Sequence, residues 1–198
     1  MKISFIGTGL MGFPMAKNLL KKNLDLKIFS RTLDKSKPLE EFGGKIINSL
    51  SEAIIDSDII LTMLTDDDAV EKVLGNSDFL KNLKPSSTVI DMSSIKPKIA
   101  IKYGKLLKEN NINFLDAPVS GGTIGAEQGS LAIMVGGDQK TFDNAIDVLK
   151  IMGNPTLVGP IGSGQISKLA NQIIVGVTIG AVAEAIMLCE KAGVDGNK

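Results

Sequence analysis

"KISFIGTGLMGFPMAKNLL", residues Lys2 to Leu20, sets three glycines, Gly7, Gly9 and Gly12, between a short apolar run and a stretch of helical period. A strand that turns at once into a helix needs glycine where the chain reverses, where a ligand approaches the backbone, and where helix packs on strand. The unpaired N–H groups at the start of such a helix favour an anion. The stretch therefore reads as a pyrophosphate cradle made by Gly7, Gly9, Leu10, Met11 and Gly12. An ordinary glycine turn is the alternative, and the place of the pattern in an opening βαβ unit favours the cradle.

Outward from this unit, short β-branched runs alternate with longer helical stretches, the pattern of a parallel sheet covered by helices. Strands are expected at 2–6, 26–30, 58–64, 88–92, 113–116, 132–135 and 156–158. Helices are expected at 10–22, 98–109 and 140–152, with joints at Gly43-Gly44, Lys84-Pro85, Gly136-Gly137 and Gly153-Asn154-Pro155. The expected fold is α/β, a Rossmann-type doubly wound and mostly parallel sheet over residues 1–161. A long helix from Gln165 to Ala192 follows, in a second unit spanning 162–198. Gly176 and Gly180 stand four apart on it, a spacing that admits a second backbone.

The apolar run Ile173 to Ala183 is about half of the roughly 20 residues that span a bilayer. It reads as a buried helix with no second layer in the sequence to cover it. The expectation is that the 198 residues are a fragment of a longer protein or depend on a partner chain. Lys plus Arg and Asp plus Glu both number 22, and no basic stretch interleaves with aromatics, which argues against a nucleic-acid surface. One cysteine, Cys189, cannot form an internal disulfide, and with no histidine the usual zinc sets cannot be assembled. A reducing, cytoplasmic setting without membrane or metal is expected.

An NAD site calls for a carboxylate at the end of the second strand. Here "LKIF" runs into Ser30-Arg31-Thr32. A guanidinium between two hydroxyls suits a 2′-phosphate through charge-assisted bonds. NADP(H) is therefore favoured, with NAD(H) as the alternative; Arg31 as a mere surface cation is the competing reading.

Composition also narrows the proton carrier. No His–Asp pair exists, and the residue four after the single tyrosine, Tyr103, is Leu107 rather than lysine. In "GSGQISKLANQ", residues 162–172, Lys168, Asn171 and Gln172 fall on one helical face. An ammonium there is either a desolvated acid–base group or a side chain snorkelling at the helix start. The pattern alone leaves both open.

Four motifs together, "FIGTGLMGFPMAKNL", "VIDMSSIKP", "LDAPVSGGTIGAEQGSLAIMVGG" and "GSGQISKLANQ", resemble the β-hydroxyacid dehydrogenase family, in the family's order and across essentially the whole chain. The resemblance implies a Rossmann-type domain, a substrate held between it and an all-helical domain, and a homo-oligomer made through the helical region. It implies Lys168 as the general acid/base and a small carboxylate substrate bound by Ser120, Gly121 and Gly122, with Asn171 and Gln172 beside them. Leu64 and Ser94 would line the cofactor site. The sequence departs from the family in carrying Gln172 where a second asparagine is common and in lacking the NAD-type acid. The expected activity is interconversion of a β-hydroxy acid and its semialdehyde, of the 3-hydroxyisobutyrate dehydrogenase or tartronate semialdehyde reductase type. The "SGGTIGAEQG" loop holds no cation for a phosphorylated substrate. A non-catalytic dinucleotide-binding module of the same fold is the rival.

Overall fold

The computed structural model describes residues 1–196; the last two residues of the expected second unit, 197 and 198, lie outside the described residues. A parallel sheet forms first: β1 (Lys2–Ile6), β2 (Asp25–Phe29), β3 (Lys45–Ile46), β4 (Ile59–Thr62), β5 (Thr88–Asp91) and β6 (Asn113–Asp116). Their spatial order is β3-β2-β1-β4-β5-β6, all parallel. The order reverses between β1 and β4, and a crevice opens there at the carboxyl ends of the strands, where doubly wound folds place ligands. β4 and β5 are buried along their whole length, as strands covered on both faces must be.

Beyond β6 the sheet changes character. β7 (Val119–Ser120) and β6 both run antiparallel to β8 (Leu131–Gly136), and β9 (Gly153–Gly159) runs parallel to it. β7 was not expected: two residues carry no period. Gly153, Asn154 and Pro155, expected as a joint, belong to β9. Proline is tolerated there because β9 pairs with β8 alone and needs no second ladder.

Helices cover both faces. α1 (Gly12–Leu20), α6 (Gly122–Gln128) and α7 (Gln139–Met152) accompany one core cluster, which includes Phe5, Met15, Leu19, Leu61 and Leu149. α2 (Leu50–Ile54), α3 (Asp67–Leu74), α4 (Ser77–Asn82) and α5 (Pro97–Glu109) accompany the other, around Ile60, Val70, Phe79, Tyr103 and Phe114. Side-chain caps start several of them: Ser49 accepts from Glu52 N, Asp66 from Ala69 N, and Asp138 from Thr141 N.

α8 (Ser163–Lys191) is 29 residues long, and within it only Gly164 and Gln165 are buried. Ile173, Ile174 and Val177 are each 67% exposed, in keeping with the expectation that no second layer in this sequence covers the helix. Among the described residues nothing lies within 4 Å of where a Cβ would stand on Gly176 or Gly180. By length and composition alone the whole helix would reach across a membrane, with an 18-residue window of mean hydropathy 2.0. Its first turn, however, is docked on β6 and β8.

Candidate active site

The glycine loop is built as its spacing demands. Gly7 has φ +100°, and a Cβ there would stand 2.3 Å from the Met63 carbonyl oxygen. A Cβ on Gly12 would stand 1.9 Å from the Gly7 carbonyl, so the helix start can close on the strand end only as glycine. Gly9 differs: its missing side chain leaves open space. That is the room an anion needs to reach the backbone. α1 begins at Gly12 after Met11 with no side-chain cap and no acid in its first turn, so its positive end is not neutralised locally. Leu10 is 85% exposed at the loop tip, and Met11 packs on the core.

Beside the loop lies a cavity of about 200 Å³, lined by Gly7, Thr8, Gly9, Ser30, Arg31, Thr32 and Leu64 among others. The structure thus gathers Gly7, Gly9, Ser30, Arg31, Thr32 and Leu64 of the expected cofactor residues around one cavity; Leu10, Met11, Gly12 and Ser94 are not among its described lining. It adds two cations that the sequence did not point to, Lys35 and Lys72, and among the described residues no carboxylate lines the cavity. The open space at Gly9, the uncapped start of α1 and this lining fit a dinucleotide, which Gly7, Gly9 and Gly12 would hold at the pyrophosphate and Ser30 to Thr32 at the adenosine end.

Ser94 lines a different cleft, of about 270 Å³, together with Asp67, Lys96, Gln165, Lys168 and Gln172. Asp67 and Lys96 pair at 2.7 Å. Lys168 is half-buried, and burial pushes its ammonium below the ordinary lysine range. One turn on, Asn171 Nδ2 donates to Ser120 Oγ at 3.1 Å and to Gln172 Oε1 at 3.4 Å. α8 thereby meets the "SGG" segment, where Ser120 ends β7, Gly121 has φ +136° and Gly122 φ +63°. The left-handed backbone at both glycines and the open space at Gly122 make a turn of the kind that can present backbone amides to an anion. Lys168 and the glycine loop line separate clefts.

Under these clefts lie two carboxylates in register, Asp91 at the end of β5 and Asp116 at the end of β6. Asp91 Oδ1 accepts from Thr62 Oγ1 at 2.7 Å, Ser93 Oγ at 2.6 Å and Ser93 N at 3.2 Å, while Oδ2 has no hydrogen-bond partner among the described residues. Burial outweighs those bonds and pushes the carboxyl up to about 6, with the Asp116 charge adding to the rise. Asp116 is also raised by burial, against hydrogen bonds from the first turn of α8. Ser93 Oγ accepts from Leu64 N at 2.9 Å, so the network supports a residue of the cofactor cavity.

The fold and the cradle define the class, an NAD(P)-binding oxidoreductase domain. Residues 2–167 match the model of the NAD binding domain of 6-phosphogluconate dehydrogenase, and residues 162–198 match that of the NAD-binding of NADP-dependent 3-hydroxyisobutyrate dehydrogenase. A 2-hydroxy-3-oxopropionate reductase of Escherichia coli is 42% identical over 98% of this chain and 67% of its own length. A probable mitochondrial 3-hydroxyisobutyrate dehydrogenase of Dictyostelium discoideum is 38% identical over 99% of this chain and 62% of its own. The solved 3-hydroxyisobutyrate dehydrogenase of Mycobacterium tuberculosis, with L-serine, superposes with a TM-score of 0.93 at 34% identity, over 98% of this chain and 66% of that one. The chain belongs to this family of β-hydroxyacid dehydrogenases, and it spans about two thirds of the length of these relatives.

Proposed function

We propose that the chain carries the cofactor site and the acid–base group of an NADP(H)-preferring oxidoreductase that interconverts a small β-hydroxy carboxylic acid and its semialdehyde. When bound, the nicotinamide supplies or accepts the hydride. In oxidation a neutral Lys168 takes the proton from the substrate hydroxyl, and in reduction the ammonium returns it to the carbonyl oxygen. The lowered proton affinity of Lys168 brings the two forms closer in energy near neutral pH. Ser120 Oγ and the Gly121 and Gly122 amides hold the carboxylate. Asn171 and Gln172 orient the hydroxyl. Arg31, with Ser30, Thr32 and the flanking Lys35 and Lys72, takes the 2′-phosphate; Leu64 and Ser94 border the nicotinamide half.

The observation that carries this reading is the placement of Lys168 in one cleft with Ser94 and Gln172, while Asn171 of the same helix bonds Ser120. The names of the relatives support the substrate class, and the L-serine of the mycobacterial structure is itself a small β-hydroxy carboxylate. In this reading the first unit is 1–161 and the second 162–198, a division supported by the start of α8 after Gly162, whose φ is +94°. The docked first turn and the Asn171–Ser120 bond favour α8 as an inter-domain helix over a membrane span, its apolar length lying against further helical structure or a second subunit in a cytoplasmic homo-oligomer. The test follows NADPH absorbance while the native polypeptide is mixed with tartronate, methylmalonate and succinate semialdehydes. Turnover that disappears in Lys168→Ala, with NADPH still bound, supports the reading. Binding without turnover across the panel favours a non-catalytic module.

A further inference from the structure

Gln165 is 1% exposed on the first turn of a helix whose apolar length is otherwise exposed. A buried primary amide is kept only where both its ends are satisfied. Here Nε2 donates to Ser93 O at 2.8 Å and Oε1 accepts from Ile95 N at 3.0 Å, so the side chain grips both sides of Ser94. Its own backbone N–H donates to Asp116 Oδ2 at 2.9 Å, and Gly162 N donates to Asp116 Oδ1 at 2.6 Å. Asp116 thus supplies from the sheet the cap that the helix lacks locally. Gly164 and Gly136 make room for it: a Cβ on either would stand within 3 Å of an Asp116 carboxylate oxygen.

We propose that Gln165 is a positioning residue for Lys168, tying the start of α8 to the Ser93–Ile95 backbone so that the ammonium is held at a fixed place against the Ser94 loop. This rests on the reading of Lys168 as the acid–base group. The lever is short and steep. Lys168 lies five residues past the helix start, about 7.5 Å along the axis, and a tilt of about 10° at Gly162 moves it by about 1.3 Å. Misplacement of a reacting group by about 1 Å lowers rates on the order of 100-fold. Past the first turn, the Asn171–Ser120 bond is the one side-chain hydrogen bond from α8 to the sheet domain among the described residues. The charged groups about the cleft are Asp67 and Lys96, which pair with each other, and Asp116 beneath the helix start.

Gln165→Met keeps the length and removes both hydrogen bonds; Gln165→Glu keeps the acceptor toward Ile95 N. Both are compared with the parent and with Lys168→Ala in the native enzyme, by steady-state reduction with NADPH and by carbon-13 NMR titration of the lysine side chains. The expected result for Gln165→Met is a kcat lower by roughly 10- to 100-fold, with KM for NADPH changed less than about threefold. The Lys168 resonance then titrates at higher pH than in the parent, as water enters the loosened cleft. Should Gln165→Met not fold, Gln165→Glu is read for the same kcat loss. A folded variant with parent kcat and parent Lys168 titration overturns the proposal, even if it melts earlier, since a purely structural amide would do that. If Lys168→Ala itself keeps full turnover, the acid–base reading fails first, and the two failures are told apart.

Discussion

Replacing Asp91 by asparagine removes a buried charge while keeping the shape that holds Ser93. In the parent the carboxyl, ordinarily at 3.8, is pushed up to about 6, because a fully buried carboxylate is compensated on Oδ1 alone. The folded state therefore holds the proton more tightly than the unfolded chain. Stability from this group is full below about pH 4 and is lost as pH rises through about 6. The gap between the two values corresponds to about 3 kcal/mol at pH 7, taken as an order of magnitude. The asparagine side chain has no charge to desolvate, and its oxygen can still accept from Thr62 and Ser93. Urea unfolding followed by circular dichroism, from about pH 4 to about pH 7, gives the difference between variant and parent; taking the difference cancels the surface carboxylates that are lowered, such as Asp58 and Asp67. The variant is expected to gain up to about 3 kcal/mol relative to the parent across that interval. A difference that stays constant with pH would refute the account of Asp91 as a carboxyl whose proton is held more tightly by burial.

Three substitutions probe the cofactor site. Arg31→Ala is expected to weaken NADPH binding by about 1.5 to 3 kcal/mol, as for loss of a charged hydrogen bond, and to leave NADH binding nearly unchanged; equal losses in a fluorescence titration would contradict the 2′-phosphate role. Gly9→Ala meets open space in the fold, so the melting temperature should hold while affinity for the dinucleotide falls by at least about tenfold. Gly12→Ala, with its Cβ 1.9 Å from the Gly7 carbonyl, should instead lose stability outright, and an unchanged melting temperature there would contradict the packing.

The glycine cradle was legible because its three residues are local and each answers a backbone requirement. Lys168, Asn171 and Gln172 were legible because helical spacing places them on one face without knowledge of the sheet. The support beneath them was not. Gln165 reaches Ser93 across 72 positions and Asp116 across 49, and nothing local in either segment announces the pairing. One signal was present: "TVID" and "NFLD" are apolar strands that each end in aspartate, and parallel neighbours in register bring those ends together. Lys35 and Lys72 were missed for the same reason, since they enter the cofactor cavity from separate segments. The exposure of Ile173 to Ala183 was legible as well, because an apolar helical run with no further apolar element after it has nothing among the described residues to pack against.

The central claim is that the Lys168 amine carries the proton. Chemical rescue measures it most directly: turnover of Lys168→Ala with NADPH is followed as methylamine is added. Rates that rise with methylamine and fall off for bulkier amines are predicted. Lys168→Ala turning over as the parent does without any amine would contradict the account.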